Sequence, residues 1–165
     1  MSRESPVTTY NFRAIFRAPL PYVFRWCTDY SPEDPRLAKE DSRRRILARS
    51  ARRVIFEDLY DGPEGWVWSH DVVTLDPPNH WHAEIVGSHR EWVIDYRLRE
   101  LPGGRTELSF RGRRRSTAHG VRNPSQAQLV RELTSMWRNY GRALERDYHS
   151  ASKRRGRGRR TPRKS

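Results

Sequence analysis

Tyr10, Phe12, Ala14, Phe16 and Ala18 alternate with Asn11, Arg13 and Arg17, a two-residue period that gives a first strand one apolar face. Pro19 and Pro21 end that strand. Residues 20–27 then read as a short helix, whose first turn accepts proline because an amide there has no helical partner. Ser31-Pro32-Glu33-Asp34 is a second helix start, with a hydroxyl cap, proline at the first position and acids in the first turn. The helix it opens extends no further than Lys39. Residues 43–50 alternate weakly, with the Arg44 stem, Ile46 and Ala48 opposed to Arg43, Arg45 and Arg49, and residues 52–60 form another short strand. Thin apolar faces place both at the outside or edge of a sheet.

The turn at 61–65 leads into better-marked strands. Trp66, Trp68, Val72 and Thr74 share a phase with His70; Trp81, Ala83 and Ile85 share the next; Trp92, Ile94, Tyr96 and Leu98 follow, then Thr106, Leu108 and Phe110. The connections at 76–79, 87–88 and 102–104 are short and rich in Pro, Gly, Asn and Ser, which predicts a four-stranded antiparallel meander. Four of the six tryptophans fall on phases read here as inward. Residues 125–150 predict a helix roughly 39 Å long at 1.5 Å per residue. Its apolar stripe is Leu129, Leu133, Met136, Trp137, Tyr140, Leu144 and Tyr148. So long a stripe needs a sheet that curls around it.

Composition narrows this picture. A chain of 165 residues fits one domain that removes roughly 70% of its unfolded surface from water. The expected boundaries are a flexible 1–7, a folded 8–152 and a disordered basic 153–165. The last 13 residues hold eight Lys/Arg and no acid, whereas the 152 before them hold 25 basic and 20 acidic side chains, so the body carries +5 of the net +13. Repelling charges interleaved with glycine leave the tail nothing to bury. A single cysteine, Cys27, and an N-terminus without an apolar run point to a reducing, cytoplasmic setting.

One strand, two short helices, six strands and a long terminal helix is the order of the helix-grip fold. The chain resembles the START/Bet v 1-like (SRPBCC) superfamily, and within it the polyketide cyclase/dehydrase and lipid-transport-like proteins. The segments that carry the resemblance are FRAPLPYVFRWCTDY, WVWSHDVVTLDPPNHWHAEIVG, YRLRELPGGRTELSFRGR and MWRNYGRALERDY. It implies an α+β domain in which a curved seven-stranded antiparallel sheet grips the C-terminal helix. It also implies an apolar cavity between them for a lipid, polyketide or aromatic metabolite. No cofactor is implied, and no subfamily motif transfers a catalytic role.

On that reading Trp66, Trp68, His70, Trp81, Trp92, Tyr96, Phe110, Met136 and Tyr140 contact the ligand. His70 is the one catalytic candidate, an imidazole able to orient a ligand oxygen or move a proton; the plainer alternative is a core histidine bonded to a backbone carbonyl. Asp58 has an ambiguous phase and reads more simply as a solvated carboxylate near a turn. His80, His82 and Glu84 sit on the phase opposite Trp81, hence outside, and span about 13 Å in line, too far for one zinc. Cys27 reads as a core thiol, and no P-loop, GxGxxG, HExxH or GxSxG sequence is present. A cyclase or aromatase using the same cavity is the first alternative function. The second is nucleic-acid association through Lys153, Arg154, Arg155, Arg157, Arg159 and Arg160, joined by a patch of Arg111, Arg113, Arg114 and Arg115. Anionic lipid is a further partner for that tail.

Overall fold

The computed structural model describes residues 7–38, 41–62, 65–117 and 123–158. Strand β1 (Val7–Phe16) is followed by helices α1 (Leu20–Thr28) and α2 (Asp34–Ala38). Six strands come next: β2 (Ser42–Arg49), β3 (Arg53–Gly62), β4 (Gly65–Asp76), β5 (His80–Gly87), β6 (Arg90–Leu101) and β7 (Arg105–Ser116). Helix α3 (Gln126–Gly158) ends the described chain. The strands form one antiparallel sheet in the order β1-β7-β6-β5-β4-β3-β2, wrapped around α3. This is the helix-grip arrangement expected. The meander β4 to β7 is as read from the sequence, and β2 is a sheet edge, but β3 is interior, bonded to β2 and β4.

Local chemistry sets the helix ends. Pro19 supplies extended backbone before α1. Ser31 Oγ accepts from the Glu33 amide at 3.1 Å just ahead of α2. At α3 the Ser125 hydroxyl accepts from the Gln128 amide (3.2 Å) while Gln128 Oε1 accepts from the Ser125 amide (2.8 Å), a reciprocal capping box. Helix α3 passes the expected end at residue 150 and continues to Gly158, so the backbone of 153–158 is helical. The side chains of Lys153, Arg154, Arg155 and Arg157, and residues Arg159 and Arg160, lie outside the described part of the chain.

Leu129, Leu133, Trp137 and Leu144 of α3 are buried against Tyr10, Phe12 and Phe16 of β1, Leu108 and Phe110 of β7, and Ile94 and Leu98 of β6. Arg17 donates its amide to Glu145 Oε1 (2.8 Å), and Trp26 donates its indole N–H to Asp147 Oδ2 (3.2 Å), which fastens α1 and the end of β1 to the helix. No helix among the described residues is long and apolar enough to cross a membrane.

One strand has the opposite phase to that expected. In β4 the buried positions are Val67, Ser69, Asp71, Val73 and Leu75. Trp66 and Trp68 face outward, 63% and 47% exposed, with His70 beside them facing Glu57 at 3.7 Å. Hydrophobicity misleads here because the two large indoles sit on the solvent face while two small polar side chains sit inside. The hairpin register decides it: Asp76 pairs with His80 and Leu75 with Trp81. Directly opposed residues share a face, so buried Trp81 carries Leu75, Val73, Asp71, Ser69 and Val67 inward.

Candidate functional site

A cavity of about 300 Å³ lies between the inner face of the sheet and the helices, at the small end of the range for ligand pockets. Of the residues expected to line it, Trp81, Trp92, Tyr96, Met136 and Tyr140 do so. Phe110 is buried behind the lining, 5.0 Å from the Tyr96 ring and 5.8 Å from that of Trp137. Trp66, Trp68 and His70 are on the far side of the sheet, so the imidazole that sequence reading singled out does not face the cavity.

The aromatic wall is built from rings that hold one another. Trp81 and Tyr96 stack at 4.8 Å with planes 7° apart, and Phe24 meets Trp81 edge-on. Tyr140 stands edge-on to both Trp26 and Trp137. Tyr30 follows α1 with φ of 45°, a left-handed backbone that an L side chain adopts only when its surroundings hold it. Its ring packs 5.2 Å from that of Phe56. Such pairings fix ring positions beyond what burial alone would do. Burial pushes the hydroxyls of Tyr30 and Tyr96 and the thiol of Cys27 well above their ordinary pKa values, so all three are neutral.

The same wall carries charge that the sequence did not reveal. Arg44 of β2 holds Asp58 of β3 by two parallel bonds, Nε to Oδ1 at 2.9 Å and Nη2 to Oδ2 at 2.8 Å, and reaches Asp34 of α2 through Nη1 at 3.0 Å. Its guanidinium lies 4.2 Å from the Phe56 ring centre. Burial alone would favour a neutral Arg44, but the hydrogen bond and charge of Asp58, then the charge of Asp34, outweigh it and hold the pKa above the ordinary value. Asp34 is pushed up to about 7, by burial first and then by the charges of Asp29 and Asp58, with Arg44 opposing. On β4 the buried Asp71 accepts from Ser69 Oγ at 2.8 Å, and burial raises it to about 6.

Asp58 therefore faces inward, and the solvated alternative is not what the structure shows. Asp34 and Asp71 were missed altogether, as were Trp26, Tyr30 and Arg90. A legible signal existed for Asp71, since the hairpin at 76–80 ties the phase of β4 to that of Trp81. Arg90, Trp92 and Glu132 line a further part of the wall. Arg114, expected in a surface patch with Arg111, Arg113 and Arg115, is turned inward beside Trp92, 5.4 Å from its ring.

On the outer face His80 Nε2 lies 2.8 Å from Asp95 Oδ2, with His82 3.7 Å from the same oxygen. Burial works against ionised Asp95, but the hydrogen bond and charge of His80, with Arg97 and His82, hold its pKa below the ordinary value. These histidines face outward, as their phase predicts, and among the described residues no group of three or more ligating side chains could hold a metal ion.

No family model matches the chain, and no curated protein matches it. Solved structures do. The ZhuI aromatase/cyclase from Streptomyces sp. R1128 is 14% identical, covering 90% of this chain and 96% of that one at a TM-score of 0.63. A START superfamily protein from Mycobacterium smegmatis is 13% identical over 87% and 98%, with a TM-score of 0.63. The major latex-like protein 151 of Panax ginseng is 8% identical over 84% and 97%, with a TM-score of 0.61. At such identities the likeness is one of architecture. The chain has the helix-grip fold that these structures share.

Proposed function

We propose that the protein binds a small, largely apolar molecule in the cavity between sheet and α3. The observation that carries this reading is the state of the lining. Tyr30, Tyr96, Trp92, Ile85 and Met136 keep accessible surface although they pack against the buried core, and all five line the void. Desolvation of an apolar ligand against those rings supplies the affinity, at about 25 cal/mol per Å² before ordering costs.

The test is native mass spectrometry of the purified protein, organic extraction, and titration with the neutral fluorophore N-phenyl-1-naphthylamine. The expected result is a reproducible small apolar adduct or saturable dye uptake, lost when Ile85→Trp fills the cavity of a protein that still melts cooperatively. Absence of both adduct and dye uptake defeats the reading.

A second reading, a cyclase- or dehydratase-like enzyme, is favoured by one specific observation. Ionisable groups converge on the cavity: Asp71 and Asp34, with pKa values of about 6 and about 7, stand near the Arg44–Asp58 pair. A neutral carboxylic acid in an apolar wall can donate a proton and take it back near neutral pH. Since one structure of similar fold is an aromatase/cyclase, a poly-carbonyl chain that can fold and cyclise is the substrate class to try first. The expected outcome is accelerated cyclisation of such an analogue, reduced at least tenfold in Asp71→Asn. Equal rates with and without protein remove this reading and leave the binding function standing.

A further inference from the structure

Among the described residues the half-buried arginines have partners, with two exceptions. Arg44 is held by Asp58 and Asp34, and Arg115 by Glu91. Arg90 and Arg114 have no ion pair among the described residues, and the buried Nε of each has no hydrogen-bond acceptor. Both guanidiniums lie against the Trp92 ring, at 4.9 Å and 5.4 Å from its centre. The Trp92 indole N–H and the Tyr10 hydroxyl, adjacent at this wall, have no partner besides each other.

Three of these four groups can only donate. The Tyr10 oxygen can serve the indole, which leaves the two guanidinium donors without an acceptor, a costly state that nearly every native structure avoids. The arrangement also brings like charges together. Burial first, and then the charge of Arg90, lower the pKa of Arg114, and Glu132 is the acid whose charge reaches it. An anion beside Arg90 would relieve both defects at once. Arg90, Trp92 and Glu132 line the cavity, whereas Arg114 stands behind Trp92 and contributes chiefly its charge.

We propose that the ligand of this cavity is an amphipathic anion, whose apolar body lies along the aromatic wall and whose single carboxylate, phosphate or sulfonate group accepts from Arg90, with Arg114 supplying a second positive charge. This rests on the cavity being a ligand site and narrows the ligand class. Guanidinium suits the purpose because its planar donors match the oxygens of such groups and it stays charged when buried. The Trp92 indole beneath both arginines holds them by cation–π attraction, so they are pre-set before the ligand arrives.

The test compares two dyes that differ only in the anion, 8-anilino-1-naphthalenesulfonate and N-phenyl-1-naphthylamine, titrated into the full chain at fixed physiological salt. The sulfonate is expected to bind at least about tenfold more tightly, the weak end of one charge-assisted hydrogen bond. Arg90→Gln brings the two dyes close to parity, Arg114→Gln reduces the preference severalfold, and Arg90→Lys keeps much of it. The readout is the ratio of the two dissociation constants within each variant, so a change in the cavity that affects both dyes alike cancels.

Competition with decanoate, decyl phosphate and decanol then separates the sources. The acid that displaces the sulfonate dye best names the head group, and equal displacement by decanol counts against an anion site. Parity in the unmodified protein overturns the proposal while leaving the cavity reading intact, and shows that water satisfies these donors. A preference that survives both glutamine substitutions also overturns it, because the anion is then held elsewhere, as by the basic tail. If neither dye binds, the cavity reading falls as well. The unmodified protein decides the matter even where a variant does not fold.

Discussion

The Tyr10 ring lies directly over Gly112, so close that a β-carbon added to the glycine would stand 2.0 Å from Tyr10 Cζ. The two residues are paired across β1 and β7, and the missing side chain is what lets the ring lie down toward Trp92. Gly112→Ala is therefore expected to destabilise the protein by about 1–3 kcal/mol, the usual cost of overpacking. Urea unfolding would measure it. Tyr10→Val in the same chain removes the obstructed ring, so the double variant should be less destabilised than the sum of the single changes. Simple additivity would show that the contact is not the cause.

Among the described residues Arg44 is the ion-pair partner of both Asp58 and Asp34. Arg44→Met strands two carboxylates in the interior, and a loss of about 3–5 kcal/mol is expected. Adding Asp34→Asn and Asp58→Asn should recover most of it, since the charges that needed the guanidinium are then gone. Equilibrium unfolding of the three proteins checks this. A triple variant no more stable than Arg44→Met sinks the argument.

Acidity should shift stability in an unusual direction at two positions. Burial raises Asp71 from 3.8 to about 6, and Asp34 from 3.8 to about 7. Between pH 3.8 and those values the folded form holds a proton that the unfolded chain releases. Each carboxyl thus contributes stability that is complete below its unfolded pKa and is lost as pH rises through the folded one. For Asp71 the two-unit shift corresponds to about 3 kcal/mol at most, or several degrees in melting temperature. Melting at pH 5 and pH 8 should show a shallower fall, or a steeper rise, in Asp71→Asn and Asp34→Asn than in the unmodified chain. Identical pH profiles would rule this out.

Trp66 and Trp68 face solvent, and Trp92 faces the cavity. Trp66→Ala and Trp68→Ala should each change stability by no more than about 0.5 kcal/mol, as surface substitutions do, and leave neutral-dye binding unaltered. Trp92→Ala should cost about 3 kcal/mol or more and disturb dye binding. Thermal melts with dye titration distinguish them, and a large loss in the Trp66 variant would contradict the outward phase.

How far the sequence could be read follows from what each strand face touches. Where a strand packs on α3, alternation is plain: Tyr10, Phe12 and Phe16 in β1, and Leu108 and Phe110 in β7, are all buried as their period predicts. Where a strand faces the cavity, the inner face no longer has to be apolar. Ser69 and Asp71 in β4 line the void in positions that hydrophobicity assigns to solvent, Asp58 in β3 does so from a phase that the sequence leaves ambiguous, and Arg44 in β2 brings charge to the apolar phase of its strand. Periodicity thus located the sheet and the helix but missed the polar wall. The turn lengths held the missing information, because the hairpin at 76–80 fixes the phase of β4 whatever its side chains are. Asp34 had no such signal, being brought to the cavity by the fold of α2 against β2.

The sheet closes by placing its first strand beside its last, with Thr8 opposite Arg114 and Tyr10 opposite Gly112. Contacts between residues so far apart in sequence form late, since the long intervening chain must first be ordered. During synthesis β1 emerges before the other strands and has no strand partner until β7 follows it. The wall that joins Tyr10, Trp92 and Arg114 is therefore assembled only once β7 has been made, and no nascent fragment that stops short of β7 can bind what that wall recognises.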